Sequence, residues 1–157
     1  MATNLYPATF TAAEVCSKGD VSLVQGVFTL IGEYTVKADE CVGIGRGAYS
    51  SLDTAIGRLF AKFKDTSSND ITAGKLRIML VSSQDMPIGA KPVYLDVDLA
   101  QLTVGETTPS ERYVLPFDGT MLTKDKKIQF LIYNPNAAVT LDASACSVLI
   151  DMTRALV

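Results

Sequence analysis

Histidine and tryptophan are both absent from this chain of 157 residues. Without histidine there is no Ser-His-Asp or Cys-His catalytic machinery, no imidazole metal ligand, and no side chain whose unperturbed pKa lies near neutral pH. Charge is also scarce, because charged residues make up 20% of the chain and the net charge at pH 7 is −3. This composition predicts no basic surface for DNA or RNA, so we expect no direct nucleic-acid binding.

Cysteines are few and far apart. Cys16, Cys41 and Cys146 are odd in number and form no Cys-x-x-Cys pair. We interpret them as small buried hydrophobic side chains, with one disulfide and one remaining thiol as the alternative. No run reaches the roughly 18 apolar residues of a transmembrane helix. The N-terminus lacks the charged and apolar regions of a signal peptide, which predicts synthesis in the cytoplasm.

The sequence does contain many alternating apolar segments. Hydrophobic residues make up 48% of the chain, which is typical of a globular domain with a sizeable core. The clearest example runs from Gly74 to Leu102, where two alternating segments flank a loop containing Pro87, Gly89 and Pro92. The apolar positions are Leu76, Ile78 and Leu80 in the first segment, and Val93, Leu95, Val97 and Leu99 in the second. Alternation of this kind predicts two strands of an antiparallel sheet.

The same reasoning predicts strands at 21–31, 33–36, 41–44, 112–117, 128–133 and 146–152, a strand from residue 58, and a short one at 139–141. The apolar face of the first of these changes parity at Gly26, with Phe28 and Leu30 facing the core beyond it, and Gly32 is expected to end it. Residues 50–57 are ambiguous between helix and strand. We expect a turn or short helix to about residue 55 and a strand thereafter.

These segments predict one all-β domain. Roughly eight to ten strands at spacings of about ten residues are typical of a two-sheet antiparallel β-sandwich. Immunoglobulin-like domains usually carry a tryptophan and are shorter, at about 100 residues, so jelly-roll topology is preferred. We place the sandwich domain at residues 21–157. Residues 1–20 are either an arm that reaches a neighbouring subunit or a lead-in strand.

Three motifs could carry chemistry, and each has a plainer interpretation. Gly43 to Gly47 resembles a dinucleotide loop, but no βαβ alternation follows, so the glycines are expected to permit a bend. Asp96 and Asp98 could bind calcium or act as a carboxylate pair, yet they lie on the solvent side of a regular strand. Lys124 to Lys127 is expected to be a solubilising turn. We therefore predict no catalytic residue, no cofactor-binding residue, no metal ligand and no cofactor.

The one positive functional indication is a surplus of apolar residues. Several strands carry apolar side chains on the face that alternation assigns to solvent, namely Met79 and Val81 beside Leu80, Leu131 beside Phe130, and Leu149 beside Val148. A sandwich that stays alone keeps its outer face wetter, and exposed apolar faces otherwise aggregate. The pattern predicts burial of these faces against other subunits.

The chain resembles single jelly-roll capsid proteins of icosahedral viruses of archaea or thermophilic bacteria in its size and strand spacing. It also resembles them in the run from Asp65 to Leu80, where a polar turn precedes the strand Lys-Leu-Arg-Ile-Met-Leu. This resemblance implies a virion location, self-assembly into a shell with copies of itself and other coat subunits, and peripheral contact with an internal viral membrane where one exists. It carries over no functional residue. The alternatives are a carbohydrate- or ligand-binding β-sandwich module and a subunit of an extracellular lattice or filament. No enzyme activity is expected.

Overall fold

A computed structural model describes residues 5–44, 55–88, 93–102, 112–115 and 122–156. In this part of the chain the strands are β1 Leu5–Thr11, β2 Ser22–Leu23, β3 Phe28–Thr35, β4 Glu40–Ile44, β5 Ala55–Lys64, β6 Asp70–Ile71, β7 Lys75–Val81, β8 Val93–Asp98, β9 Arg112–Leu115, β10 Lys127–Tyr133, β11 Val139–Thr140 and β12 Ser147–Leu156. The helices are α1 Ala12–Val15, α2 Leu99–Leu102 and a 3₁₀ helix, Ala143–Ala145. No helix in the described ranges is long and apolar enough to cross a bilayer.

Eight strands form a ribbon of nested antiparallel pairs. From the outermost pair inward, β1 pairs with β12, β3 with β10, β5 with β9, and β7 with β8. Pairing of β12 with β5 and of β10 with β7 folds this ribbon into two sheets. One sheet contains β1, β12, β5 and β9 with β4 and β6 added, and the other has the order β3-β10-β7-β8. Two sheets wound in this way are a jelly roll, so the predicted fold class and topology are confirmed.

The core lies between the two sheets and is built from alternate residues of their strands. Every second side chain of β7 and β10 faces it, which confirms the apolar faces predicted for these strands: Leu76, Ile78, Leu80, Ile128, Phe130 and Ile132 are at most 2% exposed. Leu95, Val97, Leu59, Ala61, Phe63, Val148 and Ile150 join the same cluster. Burying each large apolar side chain contributes about 1.5–3 kcal/mol.

The segment 21–31 is not one strand, as predicted, but two. Gly26 separates β2 from β3 in a turn with φ +80°, which a residue with a side chain rarely adopts. Gly32 does not end the strand, because it lies inside β3. A Cβ atom at Gly32 would lie 1.9 Å from the carbonyl oxygen of Val15, so glycine is needed where the end of α1 crosses β3.

Other boundaries follow the sequence more closely. The predicted strands at 41–44, 128–133 and 139–141 correspond to β4, β10 and β11. Residues 5–11, in the region left open between arm and strand, form β1 along β12. Leu99 does not extend β8 but begins α2, where it is still buried. Predictions for residues 45–47, 50–54, 89–92, 103–111 and 116–119, and for the side chains of Val93 and Met152, lie outside the described part of the chain.

Candidate assembly surface

The outer face of the four-stranded sheet β3-β10-β7-β8 carries an apolar centre. Side chains that alternate with the core residues point away from the sandwich there. Register brings them together across three strands, because Tyr133 is opposite Phe28, Leu131 is opposite Leu30, and Gln129 is opposite Met79. We define the apolar centre as five half-buried side chains: Phe28, Leu30, Met79, Leu131 and Tyr133.

One end of this centre is bounded by an aromatic and charged cluster. The rings of Phe28 and Tyr133 are 5.4 Å apart at an angle of 48°. The guanidinium carbon of Arg77 lies 3.7 Å from the centre of the Phe28 ring, a cation–π contact. Arg77 also donates to both carboxylate oxygens of Asp96, at 3.1 and 2.8 Å. This hydrogen bonding raises the pKa of Arg77.

The other end is bounded by a second polar network. The Lys127 Nζ atom lies 3.1 Å from Asp85 Oδ1 and 3.5 Å from Glu33 Oε1. Gln129 Nε2 donates to Glu33 Oε2 at 2.9 Å and to Asp85 Oδ1 at 3.2 Å. The hydrogen bond to Asp85 and the nearby charge of Glu33 raise the pKa of Lys127. Its ammonium therefore already has carboxylate partners within the chain.

Such a face is suited to contact with another protein. Aromatic residues, methionine and arginine are enriched at protein interfaces, and all three occur here. Because these charges are paired within the chain, a partner that covers them does not bury an unpaired charge. Three further apolar side chains are exposed in the loops before β3 and after β7, where Val24, Val27 and Met86 are 51%, 48% and 62% exposed.

The structure brings together some of the predicted partner-facing residues and separates others. Met79 and Leu131 lie in the apolar centre, as their alternation predicted. Leu149 is half-buried on the outer side of the other sheet, where it pairs with Phe60. Val81 was wrongly assigned to a partner. It is 1% exposed because the loop after β7 folds back, with Pro87 forming a bridge to it.

Phe28 and Leu30 correct a second expectation, since the sequence assigned them to the core. The pairing of β3 with β10 shifts register between Phe130 and Leu131. Ile31 and Gly32 are consecutive and both buried, and the side chains before them consequently face outward. A register shift of this kind depends on the partner strand, so alternation within β3 could not reveal it.

The motifs considered for chemistry do not combine into a site. Asp96 is paired with Arg77, and no group of three or more His, Cys, Asp or Glu that could hold a metal occurs within the described ranges. An open pocket of about 280 Å³ is lined by Phe28, Lys75, Arg77, Asp96 and Tyr133. A sugar would stack on the face of an aromatic ring, but Arg77 already covers Phe28.

Fold and surface together define a single jelly-roll β-sandwich whose outer face carries a half-buried apolar centre. VP17, a capsid protein of bacteriophage P23-77, has a similar structure, with a TM-score of 0.55 and 7% identity over 100% of this chain and 98% of that chain. The predicted resemblance to viral jelly-roll capsid proteins is thus confirmed at the level of the fold.

A second structure, the VP2 subviral particle of infectious bursal disease virus, matches with a TM-score of 0.38 and 13% identity over 98% of this chain and 32% of that chain. No protein-family model matches the sequence, and no curated protein matches it.

Proposed function

We propose that this protein is a structural subunit of a virion, a capsid protein that assembles with copies of itself and with related coat subunits. The observation that carries the proposal is the apolar centre, which is only half-buried although the core of the sandwich is already closed. The similarity to VP17, a capsid protein, extends over the whole chain and supports the same role.

The physical basis of assembly is burial of this face against a neighbouring subunit. Stable protein interfaces bury about 800 Å² on each partner. Removing apolar surface from water contributes about 25 cal/mol per Å², offset by the entropy cost of association. The paired charges around the apolar centre then set the orientation of the neighbour more than the affinity.

A virion location and synthesis in the host cytoplasm belong to this proposal. The net charge of −3 offers no basic surface to a genome, so the partners are other coat subunits. Contact with an internal viral membrane stays a prediction from the resemblance.

The test compares two leucines that are half-buried on opposite outer faces of the sandwich. Light scattering after size-exclusion chromatography, with negative-stain microscopy, is applied to wild type, Leu131→Gln and Leu149→Gln over a range of concentrations. We expect wild type to form capsomers or shells. Loss of one leucine burial, about 1.5–3 kcal/mol, raises the concentration that Leu131→Gln needs for assembly by roughly 10- to 100-fold. Leu149→Gln is expected to assemble like wild type.

Other outcomes identify the competing functions. A wild-type monomer at every concentration, with a melting temperature that rises on addition of a glycan, supports a carbohydrate-binding module instead. Open sheets or fibres in place of closed particles support a lattice or filament subunit. Equal assembly of all three proteins shows that the apolar centre is not the contact.

A further inference from the structure

The loop that follows β7 lies against the outer face of the four-stranded sheet. It covers Val81, whose position in β7 points away from the core residue Leu80. Asp85 of this loop accepts hydrogen bonds from Lys127 and Gln129, which are on the outward side of β10. The loop therefore stands above the sheet at the end where β7 finishes.

Hydrogen bonds to Ser82 hold this loop in one conformation. The Ser82 hydroxyl oxygen accepts from the backbone N–H groups of Gln84 and Met86, each at 3.2 Å. The backbone N–H of Ser82 donates to the carbonyl oxygen of Met86 at 2.8 Å. The Met86 side chain is 62% exposed. A flexible apolar side chain is thus presented to solvent from a fixed position on the loop.

The open pocket lies at the opposite end of the same face. Its lining includes Lys75 and Arg77, the first and third residues of β7, whereas the loop follows Val81, the last residue of that strand. At about 3.3 Å per residue, the steps from Lys75 to Val81 place the two ends about 20 Å apart. The pocket also presents the rings of Phe28 and Tyr133. The thioether of methionine makes favourable contacts with aromatic rings, so the pocket suits a methionine that enters from outside.

The two ends also differ in the sign of their excess charge. Two cations, one of them the exposed Lys75, and one carboxylate line the pocket. Asp98, opposite Lys75 on β8, is not part of the lining. At the loop end, the carboxylates of Asp85 and Glu33 lie 3.1 and 3.5 Å from the single ammonium of Lys127. A surface with these two ends is complementary to a second copy of itself in reverse orientation.

We propose that the outer face of this sheet docks against a second copy of the same chain about a two-fold axis that crosses the strands, with Met86 of each copy in the pocket of the other. Both subunits then use the same surface, as a two-fold contact requires. The axis passes midway along β7, so the apolar centres of the two copies cover each other. Lys75 of each copy approaches Asp85 of the other.

This inference rests on the proposed function, because it takes the apolar centre as an assembly surface. It adds the identity of the neighbour on that surface and the orientation in which it binds. The loop and the pocket are the evidence for the orientation, and neither was needed to argue for assembly.

Cross-linking between introduced cysteines tests the orientation. The native cysteines are free thiols, and two of them, Cys16 and Cys146, are buried in the core. The third is removed by Cys41→Ser. In this background, full-length Met86→Cys and Lys75→Cys proteins are mixed in equal amounts, treated with oxidised glutathione and weighed after denaturation without reductant. We expect covalent dimers in which a disulfide joins positions 75 and 86, and only monomers from either protein alone.

Two further proteins complete the experiment. A chain that carries both Met86→Cys and Lys75→Cys is expected to give closed dimers with two cross-links, because about 20 Å separates the positions within one copy. The control combines Lys75→Cys with Ser67→Cys, in the exposed turn between β5 and β6 on the other sheet. It is expected to stay monomeric on denaturing gels.

A binding measurement gives a second readout. Met86→Gln keeps the length of the side chain but removes its apolar end, and each pair of subunits loses two such contacts. We expect the dissociation constant of the pair to rise about 100-fold, measured by light scattering over a range of concentrations. Leu149→Gln, on the other outer face, is expected to leave it unchanged.

The outcomes separate this inference from the capsid role. Assembly that Leu131→Gln weakens, without a bond between positions 75 and 86, keeps the capsid role and overturns the docking. Ladders of cross-linked chains from the doubly substituted protein, in place of closed dimers, show a head-to-tail contact and also overturn it. Cross-linked dimers in a protein that forms no larger particle uphold the docking and contradict the capsid role. A wild type that is monomeric at every concentration contradicts both.

Discussion

Arg77 on β7 and Asp96 on β8 lie directly opposite each other, and their side chains form a two-point ion pair with distances of 3.1 and 2.8 Å. The same guanidinium covers the ring of Phe28 on β3. Arg77 therefore connects three strands on the outer face, while its charge is balanced within the chain.

Removing this connection is expected to lower stability modestly. The two side chains are 26% and 32% exposed, and ion pairs of that exposure contribute about 0.2–1 kcal/mol. A cation–π contact adds about 0.5–1 kcal/mol. We expect Arg77→Ala to lower the free energy of unfolding by about 1 kcal/mol, and Asp96→Ala by about half of that. A double-mutant cycle by urea denaturation measures the coupling, which should shrink in high salt. A coupling energy that is insensitive to salt would contradict the electrostatic account.

The close approach of α1 to β3 predicts that two glycines respond differently to alanine. At Gly32 a Cβ would lie 1.9 Å from the Val15 carbonyl oxygen, so we expect Gly32→Ala to cost about 3 kcal/mol or to prevent folding. At Gly26, with φ +80°, nothing lies within 4 Å of the added atom. Gly26→Ala is therefore expected to cost only about 1–2 kcal/mol of backbone strain. Denaturation midpoints measure both, and equal losses would show that α1 does not constrain β3.

Asn134 is buried, and its side-chain amide hydrogen-bonds two backbone carbonyl groups. Nδ2 donates to the carbonyl oxygens of Leu23 at 2.9 Å and Ala137 at 3.2 Å. In Asn134→Asp a carboxylate oxygen would face these acceptors, so we expect a loss of about 3 kcal/mol at neutral pH. The matched control, Asn136→Asp, makes the same change at an exposed position.

Replacing the neutral amide of Asn134 by a carboxylate also predicts a dependence of stability on pH. The folded state would raise the pKa of the new carboxyl above the unfolded value of about 3.9. The folded chain then binds the proton more tightly, and the stability deficit of Asn134→Asp should shrink as the pH falls from neutral towards 4. A deficit that stays constant over this range would mean that steric change, not charge, is responsible.

Cys16 and Cys146, both buried in the core, predict a stability maximum in alkaline solution when they are reduced. Interaction with Cys16 lowers the pKa of Cys146, and interaction with Cys146 together with burial raises the pKa of Cys16 above the ordinary 9.0. Below pH 9.0 the folded chain releases the Cys146 proton first, so the free energy of unfolding rises with pH. Above pH 9.0 the unfolded chain has lost both thiol protons while the folded chain keeps the proton of Cys16. The free energy of unfolding therefore falls as the pH rises further.

The measurement is the difference in unfolding free energy between wild type and a Cys16→Ala, Cys146→Ala double variant, in reductant. Because lysines titrate equally in both proteins, the difference isolates the thiol pair. We expect it to peak near pH 9.0. A difference that is flat from about pH 7 to about pH 10 would show that the thiols do not share a proton.

Local alternation was sufficient to predict strands whose two sides meet different surroundings. β7 and β10 were located from every second apolar residue, because one side of each strand faces the core and the other does not. The absence of histidine and the low charge favoured an assembly role over catalysis or nucleic-acid binding. Two of the surplus apolar side chains, Met79 and Leu131, do lie on the outer face.

The sequence by itself therefore determined the all-β class and the core positions of the regular strands, since each follows from residue type and short-range spacing. Only the tertiary structure decided the nested strand pairing, the outward position of Phe28, the covering of Val81 by its own loop and the burial of Cys16 and Cys146 in one core cluster. Each of these depends on which distant segment lies opposite, and a shift or fold-back in that partner reassigns a side chain without any change in the local pattern.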